Sequence, residues 1–209
     1  MPALMPSPPL LEARGLSVQA PRGGKGQSTL LRNVDLCVPR GQTLAVVGES
    51  GAGKSTLVRA LLRLVKPSMG QVLIDGQDLA VLYPAELREQ RRRIQVVFQD
   101  PIASLNPALD VLTLVADPLR TGVRSPLTVQ LRDQVAAQLA AVGLGSQFLA
   151  RRASQLSGGQ AQRVAIARAL ITQPDMLVCD EPVSALDLAL RAQVLQLLAE
   201  LRRQRQLAL

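Results

Sequence analysis

The sequence of 209 residues contains no histidine and no tryptophan, and its only aromatic residues are Tyr83, Phe98 and Phe148. Without histidine there can be no His-based catalytic triad and no His metal site. So few rings count against base-stacking modules for RNA or single-stranded DNA. They also leave the core to Leu, Val, Ile and Ala. The two cysteines, Cys37 and Cys179, form neither a CxxC pair nor a disulfide framework. Cys179 ends an apolar run and reads as a small buried residue, and such sparse cysteine use fits a reducing, intracellular compartment. No apolar run approaches the ~18 residues needed to span a bilayer. The Pro-rich start, Met1 to Leu11, lacks the charged-then-apolar pattern of a signal peptide, so the chain reads as a soluble protein.

What is present is a hydrophobic share of 47%, enough for a sizeable core. The length suits one large domain, or one domain with a small insertion. The net charge of +8 suits an anionic partner, whether nucleotide, nucleic acid or lipid headgroup; a solvated basic surface accounts for it equally well.

Residues 1–9 read as a loose tail. Strands are expected over Leu11 to Ala20 and Asn33 to Pro39, flanking the turn-rich Pro21 to Gln27. Gln42 to Val47 is an apolar run expected to be a strand buried on both faces. Further strands are expected at Gln71 to Ile74, Ile94 to Phe98 and Met176 to Cys179. Helical periodicity covers Thr56 to Val65, Pro84 to Arg93, Val129 to Val142, Gly159 to Thr172 and Leu188 to Gln204. Strands alternate with helices at both ends, which predicts an α/β fold with a mainly parallel sheet. The stretch 101–154 reads as a helical insertion, and the two early strands can form a small antiparallel flank.

Three segments carry chemistry. Gly48-Glu49-Ser50-Gly51-Ala52-Gly53-Lys54-Ser55 matches the phosphate loop GxxxxGK[ST] between an expected strand and helix. Its glycines let the backbone wrap a phosphate, and the helix beginning near Thr56 adds its dipole. Lys54 reaches the β- and γ-phosphates, and the Ser55 hydroxyl ligates Mg²⁺. Asp180-Glu181 ends an apolar strand. A parallel sheet delivers such an end to the ligand crevice, where one carboxylate holds Mg²⁺ and Glu181 can polarise a water. Leu156-Ser157-Gly158-Gly159-Gln160 opens a helix with a hydroxyl, backbone N–H groups and a dipole. An ordinary N-cap explains the same residues. If it is an anion site, it serves a second molecule's nucleotide, because Lys54 already holds the phosphate of its own subunit.

Together these segments resemble the nucleotide-binding subunit of ATP-binding cassette (ABC) transporters over about residues 10–209. LSGGQ at Leu156 to Gln160 is similar to that family's signature, and Gln99 and Ser184-Ala185-Leu186-Asp187 fall in family order. The resemblance implies a P-loop NTPase fold that binds ATP and Mg²⁺, with Gln99 and Glu181 catalytic and with Ser55, Gln99 and Asp180 on the metal. It implies head-to-tail closure with a second ATP-binding subunit, whose nucleotide would meet Ser157, Gly158, Gly159, Gln160 and Asp187. The run Val97 to Pro107 (VFQDPIASLNP) resembles the dipeptide, oligopeptide and nickel importer branch. That branch implies two transmembrane permease subunits, a separate substrate-binding protein, and a peripheral location on the cytoplasmic face of the bacterial inner membrane. No nucleic acid partner is expected, since one cassette without a long coiled-coil insertion fits neither translation nor repair members.

Two departures stand out. Leu16 to Arg22 offers no aromatic ring for adenine, so the base must rest on aliphatic contacts or on residues from elsewhere. The family's switch histidine is missing, and Leu209 stands about where its strand would begin. The expectation is a domain truncated before that strand, lacking its C-terminal part. Such a chain binds ATP and hydrolyses it poorly. A poorly hydrolysing remnant, and an ABC ATPase not coupled to transport, are the alternative readings.

Overall fold

The computed structural model describes residues 8–22, 26–120, 126–183 and 188–209. They fall into two compact units. The first comprises Met1–Arg91 with Ala208–Leu209, the second Arg92–Leu207.

The first unit is built on a hairpin of β1 (Leu11–Arg22) and β2 (Gly26–Val38). β3 (Met69–Ile74) pairs with the other edge of β1, and β4 (Gln77–Asp78) pairs with β3. The resulting antiparallel sheet has the order β2-β1-β3-β4. Along β1 the buried residues are first Leu11 and Ala13, then Leu16 and Val18. The switch from odd to even positions marks a one-residue bulge, and the β1–β2 register shifts between Ala13 and Leu16. Gly15 takes a left-handed φ of 57° there, and its N–H donates to the Asp35 carboxylate at 2.7 Å. A Cβ on Gly70 would run into the backbone of Arg14 and Gly15, so this crossing requires glycine. Asp75 and Gly76, both at positive φ, turn β3 into β4.

α1 (Lys54–Leu61) packs Leu57, Ala60 and Leu61 inward and contacts β1 and β2. It stops short of the expected Val65. Arg63 is left-handed, and the Arg91 guanidinium donates to the carbonyls of Leu62 (3.1 Å) and Arg63 (2.8 Å). The helix itself closes in a Schellman motif, with Leu64 N–H on Arg59 O (2.8 Å) and Arg63 N–H on Ala60 O (3.0 Å), and the Arg91 cation holds the two carbonyls just past its end. α2 (Pro84–Arg93) has no buried residue.

The expected buried strand at Gln42 to Val47 is a correction. Among the described residues this segment is not a strand: Val46 is 51% exposed and Val47 90%. Two backbone bonds tie it to the last residue, Leu44 N–H to Leu209 O at 2.8 Å and Leu209 N–H to Gln42 O at 2.9 Å. An apolar run becomes a strand only where a neighbouring strand takes its N–H and C=O groups.

The second unit is centred on two parallel strands, β5 (Ile94–Val97) and β6 (Met176–Cys179), registered Ile94 opposite Met176 through Val97 opposite Cys179. Short helices α3 (Pro101–Ser104) and α4 (Val111–Ala116) follow β5, then α5 (Val129–Ala141). α6 (Gly158–Leu170) buries nine of its 13 residues, which fits a helix apolar on nearly every side. α7 (Leu188–Arg205) comes last. Between 101 and 154 the described residues hold helices and one isolated bridge, Asp110 to Arg152. The α/β class is as expected. Among the described residues both sheet types are present, and the antiparallel sheet is the larger, with four strands against two.

Candidate functional site: a phosphate loop and a carboxylate pair

In the first unit, Gly48 to Ser55 loops into the N-terminus of α1. Gly51 and Gly53 have φ of 83° and 93°, which an L side chain adopts only under strain. A Cβ on Gly53 would also lie 3.0 Å from Leu30 O, so β2 approaches the loop too closely for any other residue. The Lys54 ammonium donates to the carbonyls of Gly48 and Glu49, both at 2.9 Å. This folds the cation back over its own loop. No acidic residue lies in the first turn of α1. A lysine held on loop carbonyls, a helix N-terminus without carboxylates and open space beside Gly51 together suit a phosphate.

In the second unit, the parallel register carries Gln99 and Asp180-Glu181 to the same end of β5 and β6. The Asp180 N–H donates to Val97 O at 2.9 Å, extending the ladder one step past Cys179. Glu181 is left-handed, with φ 49°. A non-glycine residue held there costs roughly 1–3 kcal/mol, the kind of strain found where a side chain must be aimed. Its carboxylate accepts from the Gln99 amide at 3.1 Å. The structure thus brings together the two residues expected to be catalytic. Neither the left-handed backbone of Glu181 nor its bond to Gln99 is legible in the sequence, because 82 positions separate the two residues. Cys179, one residue before the pair, is half-buried as a residue rather than fully buried, and the desolvation of its thiol pushes it up to about 12.

The Ser157 turn is a capping box: Ser157 Oγ accepts from Gln160 N–H (3.4 Å), and Gln160 Oε1 accepts from Ser157 N–H (3.1 Å). Ser157 and Gly158 are exposed, whereas Gly159 is buried. Lys54 and Ser55 belong to the first unit; Gln99, Asp180, Glu181 and the capping box belong to the second. Asp187 lies outside the described residues, as does the rest of Ser184–Asp187.

A family model described as ABC transporter matches residues 31–184, nearly three-quarters of the chain, and takes in all three segments. The chain belongs to the ABC transporter family. Among curated relatives, this ABC chain is 48% identical to the oligopeptide transport ATP-binding protein OppF of Salmonella typhimurium over 176 residues, 84% of this chain and 53% of that protein. It is 42% identical to a putative peptide import ATP-binding protein of Brucella ovis over 197 residues, 94% of this chain and 62% of that protein. The chain therefore spans between half and two-thirds of the length of these relatives. Among solved structures, a dimeric post-hydrolysis state of the ATP-binding cassette MJ0796 bound to ADP and Pi matches with a TM-score of 0.84 and 33% identity, covering 95% of this chain and 85% of that one. Among the described residues, no helix is long and apolar enough to cross a membrane.

Proposed function

We propose that this chain is the ATP-binding and ATP-hydrolysing part of a peptide importer. The observation that carries the reading is the phosphate loop, with Lys54 bound to its own loop carbonyls at 2.9 Å and the glycines at positive φ. On ATP binding, the ammonium exchanges those carbonyls for the β- and γ-phosphates, and the backbone N–H groups of Gly48 to Thr56 surround the phosphate chain. Ser55, Gln99 and Asp180 each carry an oxygen donor of the kind Mg²⁺ takes and would hold that ion, which would supply charge neutralisation on the phosphates. Glu181 polarises the attacking water as general base, with Gln99 fixing its carboxylate.

Ser157, Gly158, Gly159, Gln160 and Asp187 serve the nucleotide of a second ATP-binding subunit. Two permease subunits and a separate substrate-binding protein complete the importer, which places this chain on the cytoplasmic face of the bacterial inner membrane. The names of the relatives favour peptides over nickel as cargo.

The test is an ATP titration paired with a phosphate-release assay. Lys54→Ala removes a charge-assisted contact worth roughly 1.5–3 kcal/mol and should weaken ATP binding by about ten- to a hundredfold. Glu181→Gln should keep ATP affinity while lowering turnover by about 10²–10⁴. Unchanged affinity in Lys54→Ala would overturn the assignment of the loop.

A further inference from the structure

Gly159 has no conformational reason to be glycine. Its φ is not positive, and it stands two positions inside the first turn of α6, where glycine is the poorest helix former after proline. The reason lies 31 positions away. A Cβ on Gly159 would sit 3.0 Å from Leu190 Cδ1 and 3.3 Å from Cδ2, closer than side chains normally pack. Leu190 is the third residue of α7, the helix that follows the carboxylate pair.

A second link runs between the same two helices. Gln193 Oε1 accepts from Arg163 at 3.0 Å, while the other arm of that guanidinium donates to Val142 O at 2.6 Å. Arg163 is four residues on from Gly159, and Gln193 is three on from Leu190. Such spacings stack side chains on one face of each helix. The start of α7 is thereby keyed to the first turn of α6.

We propose that Leu190 is a positioning residue for the Ser157–Gly159 turn, and that Gly159 is bare to seat Leu190 rather than to admit a phosphate. Leu190 presses on the backbone that carries the Ser157 hydroxyl and the first N–H groups of α6. Any shift at the start of α7 reaches that turn through this contact. The inference rests on the reading of the turn as a site for the partner's nucleotide.

The experiment is a double-mutant cycle in the whole chain, with Gly159→Ala, Leu190→Ala and both together. ATP-driven dimerisation is measured by sedimentation in a Glu181→Gln background, alongside monomer ATP affinity and thermal midpoint. A displacement of a few tenths of an ångström at the turn should weaken dimerisation by about tenfold in Gly159→Ala, and loss of support should do the same in Leu190→Ala. The double variant should recover most of the loss, because the added methyl then occupies the space Leu190 vacated. Monomer ATP affinity should stay constant throughout, since the phosphate loop is untouched. A double variant as weak as Gly159→Ala overturns the proposal, because the methyl would then be obstructing the phosphate itself. So does a Leu190→Ala chain that dimerises like the wild type. If the parent chain binds ATP but never dimerises, the shared-site reading fails. The thermal midpoints then decide the contact alone: non-additive shifts support the Gly159–Leu190 packing, and additive shifts overturn it.

Discussion

Residue-scale chemistry here is set by what surrounds each group. Cys37 and Cys179 are the same residue type in opposite situations. Cys37 is exposed on β2, whereas the Cys179 thiol is pushed up to about 12 by burial. The thiolate is the nucleophile in alkylation. An iodoacetamide time course at pH 8 should therefore label Cys37 rapidly and leave Cys179 unlabelled until the chain is denatured. Peptide mass analysis reads the two sites separately, and equal rates would show that the Cys179 thiol is not shielded. The sign of the linked stability follows. Above its ordinary value of 9.0 the unfolded chain loses the Cys179 proton, while the folded chain keeps it until about 12. Stability should fall as pH rises through that window, and Cys179→Ala should flatten the fall in thermal midpoint over pH 9–11.

At the scale of elements, the sequence is most legible where a segment's own residues decide the outcome. β6, α2 and α6 lie where periodicity and capping place them, because the apolar run 176–179, the Pro84 start and the Ser157 cap are all local. Legibility ends where a distant group decides. Past the end of α1, the carbonyls of Leu62 and Arg63 are taken by Arg91, 28 positions on from Arg63. The run Gln42 to Val47 has strand composition without a ladder. β4 escaped notice although Asp75-Gly76 is a hairpin-turn pair that could have revealed it. The loop and the carboxylate pair of the candidate site were readable as motifs; the bare Gly159 was not, since its cause is Leu190. The cap itself is testable at this scale. Ser157→Ala removes the side-chain acceptor for Gln160 N–H and breaks the capping box. That should cost about 0.5–2 kcal/mol of stability in a denaturant melt. Ser157→Thr, which keeps the hydroxyl, should cost less. A Ser157→Ala chain as stable as its parent would mean that the box contributes nothing to α6.

For the whole molecule, the decisive question is how many chains make one ATP site. Each chain carries two groups suited to anions, the phosphate loop in the first unit and the Ser157 turn in the second, but only one carboxylate pair. If both groups served one nucleotide in one chain, every defect would stay within the chain that carries it. If two chains close head to tail, each nucleotide lies between the loop of one and the Ser157 turn of the other. Defects can then be sorted. Lys54→Ala disables a chain's loop and spares its turn; Ser157→Arg does the reverse by placing a bulky cation where the partner's phosphate would sit. In a mixed dimer one interface combines both lesions and the other combines neither. Mixing the two inactive variants in equal amounts makes about half the dimers mixed, each with one intact site of two, so about a quarter of the parent's sites should be restored. Phosphate release should rise from the level of either variant alone towards that fraction, peaking at the equal ratio. Circular dichroism on each variant confirms that both are folded before mixing. A flat response across all ratios, with parent and mixing partners folded and the parent active, would place both anion groups on a single chain's nucleotide and remove the shared site.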